Sequence, residues 1–253
     1  MRCLVISDIH ANLPALQAVL ASAPEYDVAW NLGDIVGYGA DPNEVVELAR
    51  GLGGLVVRGN HDRACSGIMR FYEFRDLSLL ASTAAVWTQE VLIKENRDWL
   101  AKLPRGPISP IPRKVRCVHG APHNEDEYIF FREDARTVLS RSRALITFCG
   151  HTHWQVGWSL HGRELTPLKP EYESSTCAEQ FEVPLEKGKH YLMNPGSVGQ
   201  PRDGDWRAAF AVYDESRSLL TWHRVPYKVD TAQRRIRRAN LPEVLATRLR
   251  NGK

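Results

Sequence analysis

The feature that most constrains the fold of this chain is the alternation of short apolar runs and helical segments near its beginning. Three runs are rich in apolar and β-branched residues, as buried strands usually are: Cys3–Ser7, Val28–Leu32 and Gly54–Val57. Between them, Asn12 can cap a helix over residues 13–23, and Asp41 can open another that ends near Gly51. Because parallel strands are joined by such crossover helices, the alternation predicts an α/β fold with parallel strands.

The rest of the chain divides into three parts. Residues from about Phe71 to Leu103 are helical in pattern and precede a proline-rich loop, which predicts a helical insertion at about 71–113. Strands and turns then dominate, and another helix ends the chain. The predicted strands are Val115–Val118, Ala144–Cys149, Val156–Leu160, Arg163–Leu168, His190–Met193, Ala208–Tyr213 and Leu219–Arg224. The length fits one large domain, so we expect residues 1–253 to form a single domain that carries the insertion.

Composition narrows the class of protein. The formal net charge of +3 does not by itself indicate a nucleic acid or membrane partner. No apolar run approaches the length of a membrane span, and the short apolar start runs straight into an acidic motif, unlike a signal peptide. The five cysteines are odd in number and lack CxxC spacing. Buried thiols are therefore expected, and with them a cytoplasmic location.

Clusters of metal-binding side chains stand directly after five of the apolar runs. They are Asp8-Ile9-His10, Gly33-Asp34, Gly59-Asn60-His61-Asp62, His119-Gly120 and Gly150-His151-Thr152-His153. In open α/β sheets ligands bind beyond the carboxyl ends of the strands, so these five loops can converge on one site. Asp8 and His10 are two residues apart, as are His151 and His153, so in extended backbone each pair would point the same way.

The chemistry of these side chains indicates two metal ions. Carboxylate, imidazole and amide donors without thiolate suit Mn²⁺ above all, with Fe²⁺, Co²⁺, Ni²⁺ or Zn²⁺ as alternatives. Seven ligands are too many for one tetrahedral ion but suit two ions that share a carboxylate. Such a pair makes a bridging hydroxide at neutral pH and stabilises the charge that develops at phosphorus. Each motif alone is a weak signal, whereas five in order at strand ends are hard to reach by chance.

Together these motifs resemble the signature of the calcineurin-like metallophosphoesterase superfamily, and the resemblance runs from Cys3 to about Arg202. Three further stretches are similar to its small single-domain phosphodiesterase branch of bacteria and archaea: residues 7–12, residues 33–39 and Asn194-Pro195-Gly196-Ser197. The resemblance implies a four-layer αββα fold, in which two packed mixed β-sheets are flanked by helices.

The resemblance also implies a role for each matched residue. The first metal would be held by Asp8, His10 and His153, the second by Asn60, His119 and His151, and both by the bridging catalytic residue Asp34. His61 would be catalytic, near the leaving-group oxygen. In many phosphoprotein phosphatases of the superfamily, this histidine pairs with an Asp three residues after the bridging Asp, where this chain has Gly37. His61 is therefore a general acid if Asp41 or Asp62 replaces that partner, and otherwise a hydrogen-bond donor to the phosphate.

The sequence thus predicts a metal-dependent phosphoric ester hydrolase, foremost a phosphodiesterase, that acts on a small phosphate ester. A dinucleoside polyphosphate hydrolase and a phosphoprotein phosphatase share the same site chemistry and stay open. A non-catalytic binding scaffold on this fold is disfavoured because all seven ligand positions are filled. Neither a membrane nor nucleic acid is expected as a partner, and the sequence leaves the oligomeric state open.

Two regions are predicted to border the site. The loop Arg63–Arg75 and the polar edge of the insertion should wall the substrate cleft, with Arg63 and Arg70 placed to meet a phosphate. Arg202 and Asp203 follow the Asn-Pro-Gly-Ser turn. They either border the site or form an exposed salt bridge.

Overall fold

Two six-stranded sheets form the centre of the computed structural model, which describes residues 1–69 and 77–253. The strands are β1 (Arg2–Ile6), β2 (Val28–Asn31), β3 (Leu55–Val56), β4 (Ile108–Ile111), β5 (Val115–Cys117), β6 (Ile146–Phe148), β7 (Gln155–His161), β8 (Glu164–Leu168), β9 (Glu179–Pro184), β10 (His190–Pro195), β11 (Ala208–Asp214) and β12 (Leu219–Val225). The first sheet has the order β3-β2-β1-β11-β12-β9 and the second the order β4-β5-β6-β10-β7-β8. Both are mixed: β1–β3 are parallel and β11 is antiparallel to β1, while β5, β6 and β10 are parallel and β7 is antiparallel.

Helices surround the sheets. The described residues contain α1 (Leu13–Ser22), α2 (Pro42–Gly51), α3 (Asn60–Ser66), α4 (Leu79–Val91), α5 (Lys94–Ala101), α6 (Arg132–Arg141), α7 (Val229–Arg238) and α8 (Glu243–Asn251). The side chain of Asn12 accepts a hydrogen bond of 3.2 Å from the N–H of Ala15, so it caps α1 as predicted. None of the helices in the described ranges is long and apolar enough to cross a membrane.

Three apolar cores hold the layers together. The core between the sheets packs Trp30 and Tyr213 of the first sheet against Phe148 of the second, with ring centroids 6.0–6.1 Å apart. Truncating one such buried ring costs about 3–5 kcal/mol. A second core packs α1, α2, α4, α7 and α8 on the outer face of the first sheet, and a third packs α6 on the outer face of the second. These four layers confirm the predicted fold class.

The segment predicted as an insertion contains α4 and α5, whereas residues 70–76 lie outside the described residues. Both helices pack against α2 and α3, and Trp87 and Trp99 lie against the core of the first sheet. The predicted proline-rich loop is wrong in part, because β4 forms there at the edge of the second sheet. Pro110 is tolerated in an edge strand, since one side of that strand needs no ladder hydrogen bonds. That residues 1–253 form one domain stays a prediction.

Candidate metal centre

The ends of five strands deliver the predicted ligands to one edge of the sheets. They are Asp8 and His10 after β1, Asp34 after β2, Asn60 at the start of α3 after β3, His119 after β5, and His151 and His153 after β6. All seven side chains are buried. Because β1–β3 are parallel to one another, as are β5 and β6, their carboxyl ends meet at this edge.

A first group of donors lies around His10. Its Nε2 is 3.1 Å from Nε2 of His153 and 3.6 Å from Oδ2 of Asp34. Oδ1 of Asp8 completes the group, at 3.4 Å from Nε2 of His153. Ligands that bind one ion at about 2.1 Å are themselves about 3 Å apart, so these spacings fit a metal ion.

A second group shares Asp34 with the first. Nε2 of His119 lies 3.0 Å from Nδ1 of His151 and 3.4 Å from the same Oδ2 of Asp34. Asn60 lines the cavity beside His151, and its Oδ1 is buried without a hydrogen-bond partner. Oδ1 of Asp8 is likewise buried and without a partner. An unsatisfied buried acceptor costs about 1–3 kcal/mol, which a bound cation would offset.

Backbone carbonyls fix the orientation of the four imidazoles. The partners are Val36 for Nδ1 of His10 (3.1 Å), Gln200 for Nδ1 of His153 (2.5 Å), Leu32 for Nδ1 of His119 (2.8 Å) and Asp126 for Nε2 of His151 (3.1 Å). A carbonyl only accepts, so each of these nitrogens carries the proton. Such outer partners set the tautomer that leaves the other nitrogen free to bind a metal.

Electrostatics favour positive charge between the two groups. Burial lowers the pKa of His151 to about 3 and holds the pKa of His10 and His153 well below the ordinary value, so these rings are neutral. Burial alone would also lower the pKa of His119, but Asp34 and Asp8 raise it to about 10. A proton on Nε2 of His119, or a metal in its place, therefore supplies charge that the carboxylates need.

The backbone at these ligands is strained. Positive φ angles occur at Asp8 (54°), His10 (49°), Asp34 (54°), His151 (68°) and His153 (61°). The expectation of extended backbone at the paired motifs is therefore wrong: left-handed turns, not extended segments, bring the side chains together. Each such residue costs roughly 1–2 kcal/mol, and strain of this kind concentrates at functional sites.

His61 lies beside the first group but lacks a carboxylate partner among the described residues. Its ring centroid is 4.9 Å from that of His10 and 4.4 Å from that of Tyr38, and its Nδ1 has no hydrogen-bond partner. Burial lowers the pKa of His61 to about 4, so the ring is neutral at pH 7. Gly37 makes this packing feasible: its φ is +90°, and a Cβ there would lie 2.5 Å from Nδ1 of His61.

The two carboxylates considered as partners of His61 have other roles. Asp41 forms an ion pair with Arg235, at 2.8 Å. Asp62 accepts backbone hydrogen bonds from Gly59 and Asp34, both at 2.9 Å, and from Ile35, at 2.8 Å. It thereby ties the loop after β2 to the start of α3. This role of Asp62 was not predicted from the sequence, although Asp at the third position of a helix is a capping signal.

The carboxylate of Asp34, the predicted bridging ligand, is also held by a backbone hydrogen bond. Oδ1 of Asp34 accepts the N–H of His61 at 2.9 Å, which leaves Oδ2 directed at both donor groups. A Cβ at Gly59 would lie 2.0 Å from Oδ1 of Asp34, so this close approach requires glycine.

A cavity of about 530 Å³ opens beside the second group. Its lining includes Asn60, His61 and His151, and also Tyr38, Arg202 and Arg248. Tyr128 stacks on His151 with ring centroids 3.8 Å apart and forms another part of the wall. The start of α4 contributes Leu80 and Ala81, so this described part of the predicted insertion borders the cavity.

The arginines that were predicted to bind phosphate do not share one outcome. Arg63 lines the cavity, but its guanidinium is engaged by Asp126 at 2.7 Å and by Glu125 at 3.1 Å. Arg70 lies outside the described residues. Of the pair after the Asn-Pro-Gly-Ser turn, Arg202 borders the site, whereas Asp203 forms an ion pair with the buried Arg224. No local pattern in the sequence indicates Arg248 as a site residue, because α8 reaches the site only through the tertiary fold.

Comparison with known proteins identifies the family. The model of the calcineurin-like phosphoesterase family matches residues 1–173, more than half of the chain. The matched region contains all seven predicted ligands. The chain therefore belongs to the calcineurin-like phosphoesterase family, as the resemblance of its motifs implied.

Individual relatives cover the chain to different extents. An uncharacterized protein of Methanocaldococcus jannaschii is 36% identical over 248 residues, which are 97% of this chain and 96% of that protein. The crystal structure of a metallophosphoesterase from Sphaerobacter thermophilus is 38% identical and has a TM-score of 0.83, with 100% of this chain and 99% of that chain covered. A symmetrical bis(5'-nucleosyl)-tetraphosphatase of Pectobacterium carotovorum is 40% identical, but only over 67 residues, 24% of each chain.

Proposed function

We propose that this protein is a metal-dependent hydrolase of small phosphate esters, with phosphodiesters as the foremost substrates. The observation that supports this most is the contact of 3.1 Å between Nε2 of His10 and Nε2 of His153. Each ring uses its only proton on a backbone carbonyl, so two lone pairs face each other. A cation at this point turns that repulsion into coordination.

The ligand assignment follows the two donor groups. One divalent ion would be held by Asp8, His10 and His153, the other by Asn60, His119 and His151, and both by Asp34. Mn²⁺ suits these donors, as do Fe²⁺, Co²⁺, Ni²⁺ and Zn²⁺. When bound, the ions would supply Lewis-acid catalysis: polarisation of the phosphate and a lowered pKa of water.

The chain's own residues bind and orient the ester. His61 is neutral and lines the cavity, so its imidazole N–H can donate to a phosphate or leaving-group oxygen. Arg202 adds a positive charge on the same wall, which attracts an anionic substrate. Asp62 touches no substrate; it positions the loop that holds Asp34. No serine, threonine or cysteine is required as a nucleophile, because attack by water needs no covalent intermediate.

Specific features of the site favour or disfavour each alternative function. A phosphoprotein phosphatase is disfavoured because no described carboxylate is hydrogen-bonded to the imidazole of His61. A dinucleoside polyphosphate hydrolase is favoured by the volume of the cavity and by the two arginines in its wall. A binding scaffold is disfavoured because every ligand position is filled and oriented.

A substrate panel with added Mn²⁺ tests the proposal. It should span phosphomonoesters, phosphodiesters, cyclic nucleotides and dinucleoside polyphosphates, with the Asp34→Asn variant as the matched control. We expect hydrolysis that depends on metal and is lost in the variant. A protein that binds no metal and hydrolyses none of these esters would be a scaffold.

A further inference from the structure

We propose that Arg202 and Arg248 form an anion-binding subsite beside the metal centre, which selects phosphate esters that carry a second phosphate group. This inference rests on the proposed function, because it assigns the substrate class of the same site. It makes α8, at the far end of the chain from most of the ligand motifs, part of the substrate cleft.

Tyr38 places the two arginines next to the centre. Its ring centroid is 4.8 Å from that of the ligand His10 and 4.4 Å from that of His61. Cζ of Arg202 lies 5.6 Å from the centroid of the same ring, and Cζ of Arg248 lies 5.8 Å from it. Both arginines also line the cavity that contains Asn60 and His151. An ester at the metals would therefore have two guanidinium groups within reach of its next charged group.

These two half-buried arginines have no Asp or Glu partner, unlike three arginines that are more deeply buried. Arg63, Arg207 and Arg224 each form an ion pair with an aspartate. Within residues 1–69 and 77–253, no Asp or Glu side chain lies within 4.0 Å of the guanidinium of Arg202 or Arg248. Nε of Arg248 donates to the main-chain oxygen of Lys253, at 2.6 Å, which leaves its two terminal nitrogens to face the cavity. Arg202 donates instead to Oε1 of Gln200, at 2.8 Å, and its Nε is buried without a partner.

The positive charges of Arg202 and Arg248 indicate that their ligand is an anion. Burial and the neighbouring charge of Arg202 lower the pKa of Arg248. Two like charges in one partly buried cavity repel each other, and a doubly charged phosphate between them removes the repulsion. Guanidinium groups suit phosphate oxygens because they offer several N–H donors in a planar fork.

The helix that carries Arg248 is firmly held. Leu245, Ala246 and Leu249 are buried in the core of the first sheet. Nε2 of Gln233 in α7 donates to the carbonyl of Ala246, at 2.9 Å. The backbone at Arg248 is therefore fixed, and only its side chain must order around a ligand.

The kcat/KM values for two substrates, one with and one without a second phosphate group, measure how strongly the subsite selects for that group. We compare Arg248→Gln and Arg202→Gln with wild type on a dinucleoside tetraphosphate and on bis(p-nitrophenyl) phosphate, which has no second phosphate. The ratio of kcat/KM for the first substrate to that for the second should fall about 10- to 100-fold, the range for loss of a charge-assisted hydrogen bond. Arg250→Gln is the matched control, since Arg250 lies in the same helix but pairs with Asp230 outside the cavity. An equal loss on both substrates, or none, would overturn the subsite.

Binding separates failure of the subsite from failure of the proposed function. Calorimetry in EDTA, with ADP and AMP as probes, does not depend on turnover. Wild type should bind ADP at least about tenfold more tightly than AMP, and Arg248→Gln should bind the two alike. If wild type hydrolyses nothing but keeps this preference, the proposed function fails and the anion subsite stands. If wild type hydrolyses esters but binds ADP and AMP equally, the subsite is wrong and the function stands.

Discussion

Nε2 of His10 and Nε2 of His153 lie 3.1 Å apart, although neither nitrogen carries a proton to share. Their rings donate from Nδ1 to the carbonyls of Val36 and Gln200. Left-handed backbone at both histidines holds the rings in place despite its cost. A fold that maintains such an arrangement is organised around a cation.

Loss of the shared carboxylate should affect both metals. Asp34→Asn removes the negative charge that lies 3.4–3.6 Å from donors of both groups, so we expect metal content to fall at both sites. Asn60→Ala removes a neutral donor near only the second group and should weaken one site. Elemental analysis of each variant after loading with Mn²⁺ measures the difference. Equal effects of the two substitutions would contradict a bridging role for Asp34.

Metal binding should release a proton from His119. Its pKa is raised to about 10, so between pH 6.5 and pH 10 the metal-free protein holds a proton there that the unfolded chain does not. This stabilisation is complete below about pH 6.5 and is lost as the pH rises through about 10. We therefore expect metal affinity to increase over that window as proton competition weakens. Calorimetry at pH 8 in two buffers with different ionisation enthalpies counts the released protons, and a count of zero would contradict the prediction.

Saturation with metal should also stabilise the fold. At a free Mn²⁺ concentration of 100 times Kd, one site contributes about 2.7 kcal/mol, or a rise in Tm of about 5–10 °C for a chain of this size. The Asp34→Asn variant should show a much smaller rise. Differential scanning calorimetry with and without EDTA makes the comparison.

Asp62 should be essential for metal binding although it is not a ligand. Asp62→Ala leaves the buried N–H groups of Gly59, Asp34 and Ile35 without their acceptor, at about 1–3 kcal/mol for each unsatisfied group. We expect a lower Tm and weaker binding of Mn²⁺ in this variant. Asp62→Asn keeps one acceptor oxygen and should recover part of both. A variant with intact metal affinity would show that the loop after β2 needs no such tie.

His61 should stabilise charge rather than protonate the leaving group. Its ring is neutral and no described carboxylate supports it, so His61→Ala should lower kcat by a similar factor for good and poor leaving groups. The size of the loss should be about 10²–10³, as for removal of one hydrogen-bond donor that stabilises charge in the transition state. A series of aryl phosphodiesters with graded leaving groups provides the readout, and His123→Ala is the control because His123 is exposed and pairs with Glu127. A loss that vanishes for p-nitrophenolate would instead identify a general acid.

Much of the centre could be predicted from the sequence because strand ends are local signals. Apolar runs that stop at Asp8, Asp34 and His119 reveal both the strand and the loop that follows it. Parallel pairing of β1 with β2 and of β5 with β6 then brings these loops together. The order of the motifs along the chain therefore predicted which side chains lie close together in the tertiary structure.

The remaining features depend on contacts that no local pattern encodes. The sequence pattern did not predict α3, which begins inside the Gly-Asn-His-Asp motif, or α7, whose buried face interleaves with arginines. It also missed β9, an edge strand whose exposed residues are Gln180, Glu182 and Pro184. Arg248 joins the site only because α8 packs against α7 and the first sheet. Such contacts between distant segments determine which side chains surround the substrate.

Titration of metal-free protein with Mn²⁺, followed by electron paramagnetic resonance, tests the central claim most directly. A carboxylate shared between two ions couples their electron spins, so the spectrum reports both the number of ions and their proximity. The two donor groups around Asp34 predict two ions per chain with the signal of an exchange-coupled pair. Saturation at one ion per chain, or two ions with the spectrum of isolated Mn²⁺, would contradict a dinuclear centre.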